Sequence, residues 1–173
     1  NIYNSKRKGK TMALLNQPTN LNYLNPVAFE TNILRIPGVS YFCQRITIPG
    51  LSMNNVLQPN PFAPIPVEGD HIAFEDLTIS FIVDEDLTNY LEIYNWMVSI
   101  GYPESHAQYN QDTPVKSDCN IIILTNKSNP NFSITFKDIF PTILGTLPFD
   151  TNATSIDPIV CDATFKYTGA FTI

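Results

Sequence analysis

Residues 73–86 read Ala73-Phe74-Glu75-Asp76-Leu77-Thr78-Ile79-Ser80-Phe81-Ile82-Val83-Asp84-Glu85-Asp86, and Leu87, Tyr90, Leu91, Tyr94, Trp96, Met97 and Val98 follow among polar residues. Leu77, Ile79, Phe81 and Val83 alternate with Thr78 and Ser80, which predicts a strand over residues 73–83 with one apolar and one polar face. From Leu87 the apolar spacing changes to i, i+3, i+4, i+7 through Tyr90, Leu91, Tyr94, Met97 and Val98. That period predicts a helix over about 87–100 with this face buried. Asp86 or Thr88 can cap its start, the acids Asp84, Glu85 and Asp86 suit its positive end, and Gly101 with Pro103 supplies a stop.

Outside this helix the apolar runs are of β type. Phe132, Ile134 and Phe136 alternate with Ser133, Thr135 and Lys137, and Cys161, Ala163, Phe165 and Tyr167 with Asp162, Thr164, Lys166 and Thr168. Residues 27–36, 39–48 and 120–125 are further strand candidates, the last apolar on both faces and therefore expected to be central. Pro37-Gly38, Pro49-Gly50, Pro130, Pro141 and Pro148 read as punctuation between them. The expected fold is mainly β: two packed antiparallel sheets, a sandwich or barrel, with one flanking α-helix. Residues 52–69 hold Pro59, Pro61, Pro64 and Pro66, so they are expected to run as an extended surface loop and not as a central strand. Residues 103–118 read as a second long, polar loop. Loops of this length in a small domain serve a function or are ordered by a partner.

A chain of 173 residues suits one domain, and no apolar run approaches the roughly 18 residues of a spanning helix. Charged residues make up 15%, against about 25% in an ordinary soluble domain, while aromatics reach 12%. Depletion of charge with enrichment of aromatics is the composition of interface cores, so much of the surface is expected to be covered by other subunits. The net charge is −6, yet Lys6, Arg7, Lys8 and Lys10 lie in the first eleven residues without an acid, so the remainder carries −10. Met12-Ala13-Leu14-Leu15 reads as a natural start, so residues 1–22 are expected to be an N-terminal arm, its part before Met12 a non-native addition, an upstream translation or a processed extension, and residues 23–173 the domain. The arm is not followed by a long apolar segment, so no secretion signal is expected. Cys43, Cys119 and Cys161 are odd in number and without metal-ligand spacing; they read as buried thiols in a reducing compartment.

The inventory for catalysis is thin. His71 and His106 are the only histidines. A Cys43–His71 dyad lacks an orienting third group, and a strand-core thiol with an exposed loop histidine is the reading favoured by far. Asp84-Glu85-Asp86 fails as a calcium loop, because position six is Asn89 and position twelve is Asn95. Gly9-Lys10-Thr11 lacks the glycine five residues earlier that a phosphate loop needs. No catalytic group, metal or cofactor is expected, and Trp96 reads as a packing anchor and not as a ligand platform.

Gly69-Asp70, the aromatic Phe74, the strand ending at Asp84-Glu85-Asp86 and the helix carrying Trp96 follow one another in an order that resembles the tail tube family of T-even-like contractile phages. The resemblance extends to Ile48-Pro49-Gly50 upstream and to Lys137-Asp138-Ile139-Phe140-Pro141-Thr142, Gly145, Phe149-Asp150 and residues 163–167 downstream, covering about residues 25–173. It implies orthogonally packed sheets, hexameric rings stacked into a tube inside a contractile sheath, and a long loop reaching the next ring. The candidate for that loop is Pro59, Asn60, Pro61, Phe62, Pro64 and Pro66. Partners would be other copies, the tail sheath, baseplate and tail terminator proteins, and DNA in transit, with no membrane; the location would be the virion, assembled in the host bacterial cytoplasm. An acidic wall fits this role, since cations would hold DNA through counterion release. Two other readings compete: a baseplate tube initiator of the same fold, and, because of sequons at Asn126, Asn131 and Asn152, an extracellular β-sandwich binding module.

Overall fold

The computed structural model describes residues 22–101, 104, 114–152 and 157–173. The basic arm, His106 and most of the 103–118 stretch lie outside them. In chain order the elements are β1 (Phe29–Ile33), α1 (Pro37–Tyr41), β2 (Cys43–Thr47), β3 (Leu51–Gln58), β4 (Ile65–Phe74), β5 (Leu77–Ile82), α2 (Thr88–Gly101), β6 (Ser117–Leu124), β7 (Pro130–Leu144) and β8 (Val160–Lys166). They form two antiparallel sheets, one of six strands in the order β1-β6-β7-β8-β5-β2 and one of two, β3-β4. The fold is mainly β with a flanking helix, as the residue patterns imply, and α1 adds a single short turn of helix.

Period-two patterning builds the six-stranded sheet. Leu77, Ile79 and Phe81 of β5 face inward with Cys161, Ala163 and Phe165 of β8, all fully or almost fully buried. The register sets Leu77 opposite Phe165, Ile79 opposite Ala163 and Phe81 opposite Cys161. Leu77, Ile79, Phe81 and Phe165 each contribute about 1.5–3 kcal/mol when wholly removed from water. Cys119, Ile121 and Ile123 of β6 and Ile134, Phe136 and Ile139 of β7 complete the wall, so the strand expected over 120–125 forms as Ser117–Leu124 and is paired on both sides.

β7 joins the two halves of this sheet. Its first part pairs with β6 and its last part with β8. The inward set shifts from Ile134 and Phe136 to Ile139 and Pro141, leaving Lys137 and Asp138 both exposed. Asp138 adopts φ 54°, a left-handed conformation that Asp tolerates better than most residues, and its N–H donates to the Asp118 carboxylate at 3.0 Å. This bulge lets one strand turn the corner between two packed halves. Pro141 therefore belongs to the strand and is not a break: beyond Ile139 β7 has no β6 neighbour, so a residue lacking an N–H is tolerated there.

Several sequence expectations need correction. Residues 73–83 are two strands in different sheets, broken at Glu75-Asp76. Residues 39–48 begin as α1, because Pro37 is at its first turn, where a fixed φ and a missing N–H favour a helix. Residues 52–69 are not a loop: most of them form the β3–β4 hairpin, with Pro66 opposite Leu57. Pro59, Pro61 and Pro64 fall in the connection between the strands, and Pro66 is tolerated because both strands of a two-stranded ribbon are edge strands. The helix over 87–100 forms, but its buried residues are Asn89, Ile93 and Trp96. Leu91 and Tyr94, expected inside, are 44% and 49% exposed.

Candidate assembly surface

The β3–β4 hairpin lies outside the core. Leu51, Met53, Val56, Leu57, Ile65, Val67, Ile72 and Phe74 are all classed with the exposed large apolar residues. Alternation assigns Leu51, Met53, Ile72 and Phe74 to one face, in the register Leu51–Phe74 and Met53–Ile72. A contiguous apolar face of this kind on one chain marks a surface meant to be covered.

The hairpin is held at its base. Glu75 N–H donates to the Gly50 carbonyl at 3.1 Å, and Gly50 N–H donates to the Glu75 carboxylate at 3.3 Å. Phe74 meets Tyr167 and Phe171 edge-on, with centroids 6.5 and 6.3 Å away, and the Tyr167 hydroxyl donates to the Glu75 carbonyl at 3.0 Å. Higher up, β4 carries two extra residues between Ile72 and Glu68. There Gly69 passes so near Asn54 that a Cβ on it would overlap the Asn54 carbonyl. Asp70 and His71 lie exposed beside it on β4, so His71 is a strand residue and not a loop one. At the tip, residues 59–64 connect the strands, and Phe62 is 98% exposed.

The other singled-out residues scatter. Asp84, Glu85 and Asp86 make the turn from β5 into α2, where Asn89 bridges: its side-chain N–H donates to the Ile82 carbonyl at 2.7 Å and its Oδ1 accepts from Asp84 N–H at 3.2 Å. Trp96 is buried. Its Nε1–H donates to the Val115 carbonyl at 2.8 Å, its ring lies 6.1 Å from Phe165, and the Arg35 guanidinium sits 4.9 Å from its centroid. Phe140 packs against the core edge and Pro141 opposes Phe165. Gly145 N–H donates to the Asp162 carbonyl at 2.7 Å, an approach that a Cβ would crowd. Phe149 and Asp150 lie exposed beyond β7, Asp150 accepting from Asn152 N–H at 2.8 Å. Gly69, Trp96, Phe140, Pro141 and Gly145 thus shape the fold, while the exposed apolar hairpin forms the surface.

Among the described residues no three His, Cys, Asp or Glu side chains converge as a metal site, and no helix is long and apolar enough to cross a membrane. Cys119 and Cys161 are buried and Cys43 half-buried. Burial, with the neighbouring Cys43 thiol, pushes the Cys119 thiol up to about 12, so it is a poor nucleophile.

The family model described as phage tail tube protein matches residues 14–171. The chain belongs to that family. Its members are structural components of phage tails, so this tail tube family protein is not an enzyme and its place is the virion. The tail tube terminator protein of Enterobacteria phage T4 is 26% identical over 153 residues, 85% of this chain and 87% of that one. Among solved structures, a chain of the PVC sheath/tube terminator of an extracellular contractile injection system superposes with TM-score 0.57 at 15% identity, covering 89% of this chain and all of that one. One from the tube-terminating cap of the anti-feeding prophage gives 0.58 at 15%, covering 89% and 93%. A chain of the PVC sheath–tube complex gives 0.58 at 16%, covering 88% and 91%. These likenesses establish the fold.

The sequence reading missed Leu51, Met53, Ile72 and the clamp of Glu75 and Tyr167. A signal was present: the apolar positions run on even numbers at Ile72 and Phe74 and on odd numbers from Leu77, and this change of phase marks where the chain leaves one sheet for the other.

Proposed function

We propose that this protein assembles into a ring that closes the end of a contractile phage's tail tube. The observation carrying this reading is the similarity to the T4 tail tube terminator along nearly the whole of both chains. The structure supports it physically. A ring needs each subunit to offer two different surfaces to its neighbours, since a head-to-tail contact closes only when the patches differ. Here one surface is the apolar hairpin, and another is the pair of unpaired sheet edges, β1 and β2. Six copies per ring, contact with sheath and baseplate proteins, assembly in the host cytoplasm and passage of DNA through the lumen are part of the same proposal.

A second reading, a subunit of the tube itself, draws support from the family match over residues 14–171. The two differ in a direct assay. Gold-labelled protein is added to tubes growing from the phage's main tube subunit and viewed by negative-stain electron microscopy. A terminator labels one end of each tube and arrests its growth, while label spread along the length, with unchanged growth, overturns the terminator in favour of the tube subunit.

A further inference from the structure

The two ends of the six-stranded sheet approach each other without pairing. Thr31 of β1 and Cys43 of β2 come to 3.9 Å between Oγ1 and Sγ. Beside this approach lies a cleft of about 440 Å³, walled mainly by Leu24, Phe29, Ile46, Ile48, Ile121 and Ile123. An apolar hollow of that size takes an aromatic side chain with its flanking residues. Arg45 stands exposed at the cleft, and no ion pair of its guanidinium occurs among the described residues.

The tip of the β3–β4 hairpin has the complementary features. Phe62 is 98% exposed, and its N–H donates to Asn60 Oδ1 at 3.2 Å, a local turn that holds the backbone in place. Pro59, Pro61, Pro64 and Pro66 restrict the same segment, so little chain entropy remains to be lost on docking. Farther down β4, Glu68 and Asp70 add two exposed acids on either side of Gly69. The described aromatic and backbone contacts of the hairpin with its own chain lie at its base, around Gly50, Phe74 and Glu75. A rigid aromatic tip with acids behind it matches an apolar cleft with a cation at its edge.

We propose that Phe62 of one copy seats in the cleft between β1 and β2 of a second copy, with Arg45 of that copy facing the hairpin acids Glu68 and Asp70. This contact deepens the ring-forming reading and rests on it. It joins two different patches, so it propagates from copy to copy around a ring. It also covers a phenylalanine that is otherwise wholly in water.

The test uses the full chain with p-benzoylphenylalanine at position 62, mixed as isotopically light and heavy protein, irradiated and mapped by mass spectrometry. The expected crosslinks join light to heavy chains and fall on residues 24–29, 44–48 or 121–123. Crosslinks within one chain, or to any other surface, overturn the contact, and so does their absence at concentrations where rings are visible by electron microscopy. Phe62→Ser should weaken association roughly ten- to a hundredfold with an unchanged melting temperature, because the side chain touches no core. Arg45→Glu should weaken it too and be rescued by Glu68→Lys with Asp70→Lys; an unrescued loss overturns the charge pairing. Correct crosslinks in a protein that fails to cap tubes leave the contact standing and remove the terminator reading, so the two failures are distinct.

Discussion

Gly69 shows how one residue can be dictated by a neighbour's backbone. The close pass to Asn54 leaves no room for a Cβ, so Gly69→Ala must push β3 and β4 apart at the bulge. The expected result is loss of amide protection within the hairpin by hydrogen exchange, with the global melting temperature lowered by only a few degrees, since the hairpin lies outside the core. Cys119 and Tyr167 give a second expectation. Burial raises the Cys119 thiol from an ordinary 9.0 to about 12; burial first, then Asp76 and Glu75, raises the Tyr167 hydroxyl above its ordinary 10.0. Both groups stay protonated in the fold at pH values where the unfolded chain has ionised. The stability they contribute is complete below about pH 9 and is lost as pH rises from about 9 toward 12. Thermal melts at pH 8 to 11 should fall progressively, and Cys119→Ala, after allowance for its lower starting stability, should flatten the slope. At pH 8, iodoacetamide should modify half-buried Cys43 before Cys119.

At the scale of elements, the hairpin is an arm separable from the core. Gln58 and Ile65 are its last paired residues, so replacing residues 59–64 with Asn-Gly makes a two-residue turn suited to an antiparallel ribbon. The circular dichroism spectrum should be unchanged and the melting temperature within about 2 °C of the parent, while analytical ultracentrifugation should show that the proposed association is lost; a destabilised core would mean that the tip packs on its own chain. The arm was hidden in the sequence because four prolines read as a loop, although three of them, Pro59, Pro61 and Pro64, lie only in the tip connection and Pro66 alone stands in a strand, where a two-stranded ribbon tolerates it. β5, β6, β8 and α2 were legible because their patterns answer to burial within this chain. The α2 face was only half legible: Tyr90 and Met97 do pack against the core, with Ile93 and Trp96 buried between them, but Leu91 and Tyr94, which share their helical period, stand exposed. Periodicity reports that a face is apolar, and a subunit built to be covered carries more apolar faces than its own core uses. α1 escaped notice because Pro37-Gly38 reads as punctuation unless the proline is recognised as a first-turn residue. Among the surface residues, the resemblance drew attention to the tip prolines and Phe62, whereas the apolar ribbon below them followed only from knowing that it pairs with itself.

For the whole molecule, charge and association pull in opposite directions. The chain carries −6, and −10 without its first eleven residues, so copies brought into the proposed ring would repel one another while burial of their apolar arms opposes that repulsion. Salt at about 0.5 M shortens the Debye length to a few ångströms and removes most of the repulsion between exposed charges, and sulfate strengthens apolar burial as well. Ammonium sulfate should therefore shift the protein from monomer toward rings at fixed concentration, as read by sedimentation velocity. It should do so more strongly for the chain lacking residues 1–11, whose repulsion is larger. The same charge governs DNA. A wall without a surplus of cations releases few counterions on contact, so rings of the shortened chain should leave duplex DNA unshifted in a gel even at about 50 mM salt, where a basic surface would bind. A retained complex there would mean that basic residues are gathered on one face despite the acidic total, and would overturn the proposal of a non-adhesive wall that DNA slides past.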